Sequence, residues 1–202
     1  MRRILFQVTL LMLGLAIYTA SPFVAAWRLR EAVKAGDTAY IESRVEWDKV
    51  RATLKDSLAR HAQLMPAASA VGSEVTPTLW QRVKGVFGQS MLDRFVESYV
   101  TPEGLPQLFE YRKVWREKIK GEPDERLTLA WHERFRNFYN RIKRAEFQSL
   151  ARVEIEMADR HSPERRYVSV FELSGIDWKL VSLRVTSIDA AARLAEIARD
   201  PS

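Results

Sequence analysis

The sequence predicts an α+β fold: an N-terminal transmembrane helix, then a helical layer packed on a C-terminal antiparallel meander of three or four strands. Apolar residues recur at helical spacing through the first two thirds of the chain, and the period changes to two near residue 150. Short turn sequences separate the expected strands. Such hairpin connections join antiparallel neighbours and argue against a parallel, doubly wound sheet.

The composition indicates one packed domain with a short appendage. Of 202 residues, 47% are hydrophobic and 29% are charged, which excludes a disordered chain. The chain contains no cysteine, and this excludes disulfides, thiolate metal sites and cysteine nucleophiles. Chemistry at any site must therefore use histidine, carboxylate or hydroxyl groups.

The N-terminus carries the strongest local signal. Two arginines, Arg2 and Arg3, precede a run without charge over residues 4–27, whose densest apolar part is residues 4–20. As a helix, the dense part spans ~26 Å and the whole run ~36 Å, which brackets the ~30 Å hydrocarbon thickness of a membrane. We assign residues 1–26 to a membrane anchor and residues 27–202 to a single exported α+β domain.

A cleaved secretory signal is the alternative to an anchor. Cleavage after Ala20 would place the large side chain of Tyr18 where a small residue is required, so the sequence favours the anchor. Basic residues flank both ends of the segment and do not settle its orientation. Because long domains translocate largely regardless of charge, we predict a single-pass protein with its N-terminus inside and the bulk of the chain exported.

Helix signals divide the first two thirds of the chain. Ser21-Pro22 predicts the start of a helix that ends at Gly36, and Asp37 is the expected N-cap of a helix over residues 38–44. An apolar stripe, which includes His61, predicts a helix over residues 47–64. We expect a flexible loop near residues 66–77, brief helices over 76–87, 90–99 and 101–109, and a helix end followed by an exposed connection over 112–126.

The last third changes from helix to strand. An aromatic pattern predicts a helix over residues 131–142, and alternation predicts strands near residues 144–149, 151–157, 166–173 and 178–185. The sequence Ser174-Gly175-Ile176-Asp177 is typical of a hairpin turn. Ser187 is the expected cap of a last helix over residues 188–198.

The order of these features resembles a known bacterial family. The motifs are SPFVAAWRLREAVKAGD, YIESRVEWDKVRATLKDSL, YVTPEGL and RRYVSVFELSGIDWKLVSLRV, which cover most of the chain from Ser21 to Val185. They resemble the uncharacterised membrane-anchored proteins of domain of unknown function 2939. The resemblance implies one N-terminal anchor and an exported domain, and thus a protein of a bacterial inner membrane with a cytoplasmic N-terminus and a periplasmic domain. It implies no activity, cofactor or catalytic residue.

The candidate interaction surface is a segment that mixes basic and aromatic residues. Such mixtures bind nucleic-acid backbones or anionic lipid head groups, but at helical spacing they also form an ordinary core helix with a basic outer face. The net charge of +6 includes Arg2 and Arg3, so the field of the domain is weak and disfavours nucleic acid. The residues that would contact a partner or lipid are Trp131, Arg134, Phe135, Arg136, Tyr139 and Arg141.

No catalytic, cofactor or metal motif is present. The histidines at 61, 132 and 161 have no metal-ligand spacing. Glu154, Glu156 and Glu172 lie on expected neighbouring strands and could form an acid/base pair, although cross-strand pairing with basic residues is the simpler interpretation. Expected partners are Arg152, Arg165, Arg166 and Lys179.

Two functions remain open from sequence. The first is a membrane-tethered, non-enzymatic domain that binds an envelope protein, or a lipid or other apolar ligand. The second is an envelope hydrolase that uses paired carboxylates. A pocket with two close carboxylates of raised pKa would favour the hydrolase, whereas an apolar pocket would favour binding.

Overall fold

The computed structural model describes residues 2–64, 89–119, 130–159 and 164–187. Within these residues the chain forms six helices: α1 (Arg2–Ala35), α2 (Thr38–Arg44), α3 (Trp47–Leu64), α4 (Gln89–Tyr99), α5 (Gly104–Ile119) and α6 (Trp131–Tyr139). The strands of the described part are β1 (Ile142–Ser149), β2 (Arg152–Ala158), β3 (Arg165–Ser174) and β4 (Asp177–Ser187). The predicted α+β architecture is confirmed.

The strands form one antiparallel sheet in the order β1-β2-β3-β4. A two-residue turn joins β3 to β4, and its first central residue, Gly175, has a φ of 67°. Glycine at this position suits a type II′ hairpin, whose twist matches the flanking strands. The predicted turn at Ser174-Gly175-Ile176-Asp177 is therefore confirmed.

One face of the sheet packs against the helices and forms the core. The C-terminal half of α1 presents a buried stripe to this core, and α2, α3, α4 and α6 each add buried residues. The core side chains alternate along β2, as expected for a half-buried sheet, whereas along β4 a bulge shifts the alternation by one residue. Those of the helices and sheet include Ala26, Leu29, Ile41, Val50, Val96, Phe138, Val153, Ile155, Phe171, Trp178 and Leu180.

Helix α3 covers the outer edge of β4. The amide of Leu183 donates to Thr53 Oγ1 at 3.2 Å, and the amide of Val185 donates to Ser57 Oγ at 3.1 Å. Thr53 and Ser57 are four residues apart, so both hydroxyls lie on the same side of α3. These bonds satisfy edge donors that would otherwise be free to pair with another strand.

The predicted helix start at Ser21-Pro22 is wrong, because α1 continues through both residues. Proline lacks the N–H that would bond to the carbonyl of Tyr18 four residues earlier. The hydroxyl of Ser21 donates to that same carbonyl at 2.7 Å and replaces the missing donor. A Ser-Pro pair can thus continue a helix as well as begin one.

Other helix boundaries agree in part with the predictions. Asp37 is the N-cap of α2, as predicted, and its Oδ1 accepts from the amide of Tyr40 at 3.0 Å. The helix end predicted within residues 112–126 is at Ile119, where α5 ends, and the connection predicted to follow it lies largely outside the described residues. Ile142 was placed in a helix but begins β1, since α6 ends before the turn at Asn140. The predicted loop at 66–77 and helices at 76–87 and 188–198 lie outside the described residues.

Candidate functional site

The predicted basic and aromatic surface lies on α6 and the residues that follow it. Trp131 and Tyr139 are 65% and 56% exposed, and Arg136 is exposed beside them. Phe135 instead packs edge-to-face on Trp27 of α1, with ring centroids 5.5 Å apart. The aromatic residues of α6 are therefore divided between the contact with α1 and the surface.

Two of the predicted cations hold the fold together. Arg134 donates to Glu31 of α1 at 2.9 Å, and Arg141 donates to the carbonyl of Ala158 at 3.0 and 3.2 Å. Glu31 also accepts from Arg30 at 2.8 Å and from Lys34 at 2.9 Å. Three cations thus share one carboxylate, and the part of the α1–α6 contact around Glu31 therefore carries a net positive charge.

The three candidate acidic residues of the sheet are each paired with an arginine. Glu154 pairs with Arg184 at 2.6 Å, Glu156 with Arg166 at 3.5 Å, and Glu172 with Arg152. Two expected partners pair elsewhere: Arg165 with Asp159 and Lys179 with Glu46. The role of Arg184 was not predicted, because a bulge in the β3–β4 register changes which residues lie opposite each other.

An open cleft of about 720 Å³ lies between α3 and the face of the sheet that carries Glu154 and Glu172. Its charged lining residues carry both signs, and the ion pairs of Glu154 and Glu172 lie within it. Such paired carboxylates do not form the proton-sharing acid/base pair that a hydrolase would need. The cleft is also not the apolar pocket expected for a lipid-like ligand.

The described residues contain no clear histidine or metal site. His132 is exposed on α6 beside the ring of Trp131. The side chain of His61 and the whole of His161 lie outside the described part of the structure. Among described residues, no group of three or more potential ligands is placed to hold a metal ion.

Tyr167 is a half-buried titratable group at the end of the sheet formed by the β2–β3 connection. Its hydroxyl donates to Asp159 Oδ2 at 2.7 Å. Burial, and then the hydrogen bond to Asp159, raise the pKa of the Tyr167 phenol above its usual value near 10. The folded protein therefore retains this proton at a pH at which the unfolded chain releases it.

We predict that loss of the Tyr167 proton lowers the free energy of unfolding at alkaline pH. Because the folded pKa is raised, the contribution of Tyr167 is complete below pH ~10 and is lost as the pH rises further. Tyr167→Phe should cost about 1 kcal/mol at pH 7, through the lost hydrogen bond, and the difference from wild type should shrink above pH ~10. Urea unfolding at pH 7 to 11 measures the free energies of unfolding of wild type and Tyr167→Phe. A difference between the two proteins that stays constant with pH would contradict the prediction.

An aromatic cluster that the sequence analysis missed lies where α1 meets the sheet. The rings of Tyr18, Phe147 and Trp178 lie 6.3 to 6.4 Å from one another, measured between centroids. Trp178 Nε1 donates to Ser21 Oγ at 2.8 Å, and the hydroxyl of Tyr18 donates to the carbonyl of Leu150. We call these five residues the α1 junction. The junction ties α1 to the β1–β2 turn and to the start of β4.

On the N-terminal side of the junction, α1 has no neighbours among the residues that the structure describes. Residues 2–17 are all exposed, and none of the most apolar 18-residue window of the helix is buried. Among the described residues, α1 is the one helix long and apolar enough to cross a membrane. Length and composition alone would also admit a signal sequence.

Comparison with known proteins identifies a family for the N-terminal half. Residues 11–108 match the family described as "Protein of unknown function (DUF2939)". This segment, slightly under half of the chain, is similar to the DUF2939 family. The DUF2939 segment contains most of α1, all of α2, α3 and α4, and the motif YVTPEGL. The motif RRYVSVFELSGIDWKLVSLRV, by contrast, lies outside the matched residues.

No curated protein and no solved structure matches the chain. The DUF2939 family itself carries no assigned activity.

Proposed function

We propose that this chain is a single-pass membrane protein whose domain acts by binding a partner, not by catalysis. The observation that carries the proposal is the division of α1 into two parts. Residues 4–17 are uncharged, mostly apolar and exposed, whereas the C-terminal half of the same helix contributes buried residues to the domain core. An apolar helix without protein neighbours is stable in lipid, because its own backbone bonds are satisfied within the helix.

The junction favours an anchor that is retained over a signal that is removed. Cleavage after Ala20 would delete Tyr18 and its contacts with Leu150 and Trp178. Cleavage after Ala26 would also remove two buried residues, Pro22 and Ala26. Either event would open the core of the domain, so we infer that the mature protein keeps α1.

A binding role fits the remaining surfaces better than a hydrolytic role. The candidate carboxylates are neutralised by arginines, whereas Trp131 and Tyr139 expose large aromatic rings beside Arg136. Exposed aromatic residues and arginine are the side chains that most often dominate protein interfaces. We propose that this face of α6 binds an envelope protein or an anionic lipid surface.

We further propose that the N-terminus is cytoplasmic and that the domain is exported across a bacterial inner membrane. Fusion of the full-length chain to alkaline phosphatase or to green fluorescent protein at the C-terminus tests this orientation. We expect phosphatase activity, no green fluorescence, full-length mass and recovery in the membrane fraction. Fluorescence without phosphatase activity would overturn the orientation, and a shortened soluble product would overturn the anchor.

A further inference from the structure

Two hairpin tips of the sheet carry fully exposed aliphatic side chains. Leu150, in the β1–β2 turn, is 82% exposed, and Ile176, in the β3–β4 turn, is 94% exposed. In an antiparallel meander, the first and third connections lie at the same end of the sheet. A hydrogen bond from the amide of Leu173 to the carbonyl of Ala151 confirms that the two turns are close together.

This end of the sheet adjoins the exposed part of α1. The Leu150 carbonyl accepts the hydroxyl of Tyr18, the residue that follows the exposed part of the helix. On the other hairpin, Trp178 bonds to Ser21, and Ile176 lies two residues closer to the tip. Both aliphatic side chains therefore lie next to the segment proposed to enter the membrane.

The exposed part of α1 is shorter than a bilayer. Its fourteen uncharged residues, 4–17, span about 21 Å at ~1.5 Å per residue. The hydrocarbon layer is about 30 Å thick. If α1 crosses the membrane, the end of the domain nearest to Tyr18 must cover roughly the remaining 9 Å, or the bilayer must become thinner.

The chemistry of the tips suits contact with lipid. No charged residue occurs in either turn segment, residues 147–151 and 173–176. The charged residues that border them are ion-paired: Arg152 with Glu172, Asp177 with Arg44, and Glu146 with Arg144. Entry of the tips into the boundary between head groups and acyl chains would therefore not require an unpaired charge to lose its water.

We propose that Leu150 and Ile176 insert into the lipid bilayer beside α1, so that the domain rests on the membrane through its two hairpin tips. This inference depends on the proposed membrane anchor. It adds a lipid-binding surface within the sheet, which lies outside the DUF2939 match. Three points of contact, α1 and the two tips, would hold the domain in one orientation above the bilayer.

The absence of cysteine allows a direct test on the full-length chain. Four single-cysteine variants, Leu11→Cys, Leu150→Cys, Ile176→Cys and Glu164→Cys, each receive a nitrobenzoxadiazole label in phosphatidylcholine–phosphatidylglycerol vesicles. Leu11 reports on the anchor, whereas Glu164 is exposed at the other end of the sheet and is the matched control. Lipids that carry spin labels at different depths then quench the fluorophores.

We expect deep quenching at position 11, shallow quenching with blue-shifted emission at positions 150 and 176, and no quenching at position 164. Quenching at position 11 together with water-like emission at 150 and 176 would refute tip insertion and leave the anchor intact. Water-like emission at all four positions would refute the anchor and the insertion together.

Discussion

The double substitution Leu10→Arg and Leu13→Arg is expected to prevent stable insertion of α1 into a membrane. Both leucines lie in the middle of the exposed part of the helix, where no described residue is placed to pair with a charge. Each arginine near the centre of a spanning helix costs about 2.5–3.5 kcal/mol, so the pair costs about 5–7 kcal/mol. Carbonate extraction of membranes should then release most of the protein.

The matched control adds the same charge to the surface of the domain. Gln107→Arg and Asn137→Arg replace exposed residues on α5 and α6, so the doubly substituted protein should remain in the membrane fraction. Retention of the α1 variant with equal efficiency would show that residues 2–17 do not anchor the chain. Release of both variants would mean that net charge, not α1, controls membrane association.

The substitution Trp178→Ala is expected to cause the largest loss of stability in the domain. The Trp178 side chain is 4% exposed and packs against Tyr18 and Phe147, and its Nε1 donates to Ser21. Truncation of a buried tryptophan costs about 3–5 kcal/mol, through lost contacts and the remaining cavity. The melting temperature of the full-length protein in mild detergent should fall by roughly 6–20 °C.

Two further variants separate the causes of this loss. Trp178→Phe keeps an aromatic ring but removes the donor to Ser21, so it should retain much of the stability. Trp131→Ala makes the same truncation at a residue that is 65% exposed, and its effect should stay within about 0.5 kcal/mol of zero. Equal melting temperatures for Trp178→Ala and Trp131→Ala would contradict the role assigned to the α1 junction.

Local sequence patterns predicted most of the secondary structure. The stripe on α3, the cap at Asp37 and the turn at Gly175 each act within a few residues, and the structure confirms them. The errors at Pro22 and Ile142 have a common cause. In both cases the local sequence is compatible with two structures, and a neighbouring group decides between them. The hydroxyl of Ser21 allows the helix to continue through Pro22, and the turn that ends α6 places Ile142 in a strand.

The sequence predicted that the carboxylates of the sheet form ion pairs with basic residues, but it did not predict every partner. Alternation along a strand shows which residues share a face, so ion pairs for Glu154, Glu156 and Glu172 followed from sequence. The exact partner depends on strand register. A bulge between Val170 and Phe171 changes that register, and sequence periodicity does not locate it.

By itself, the sequence determined the exposed apolar helix, the α+β order of elements and the absence of thiol chemistry, because composition and periodicity encode these properties locally. Only the tertiary structure showed that α1 continues into the core and that Tyr18 contacts Leu150, 132 residues away. Contacts between residues so distant in the chain depend on the path of the backbone between them. The α1 junction and the hairpin tips beside it therefore emerged only from the fold.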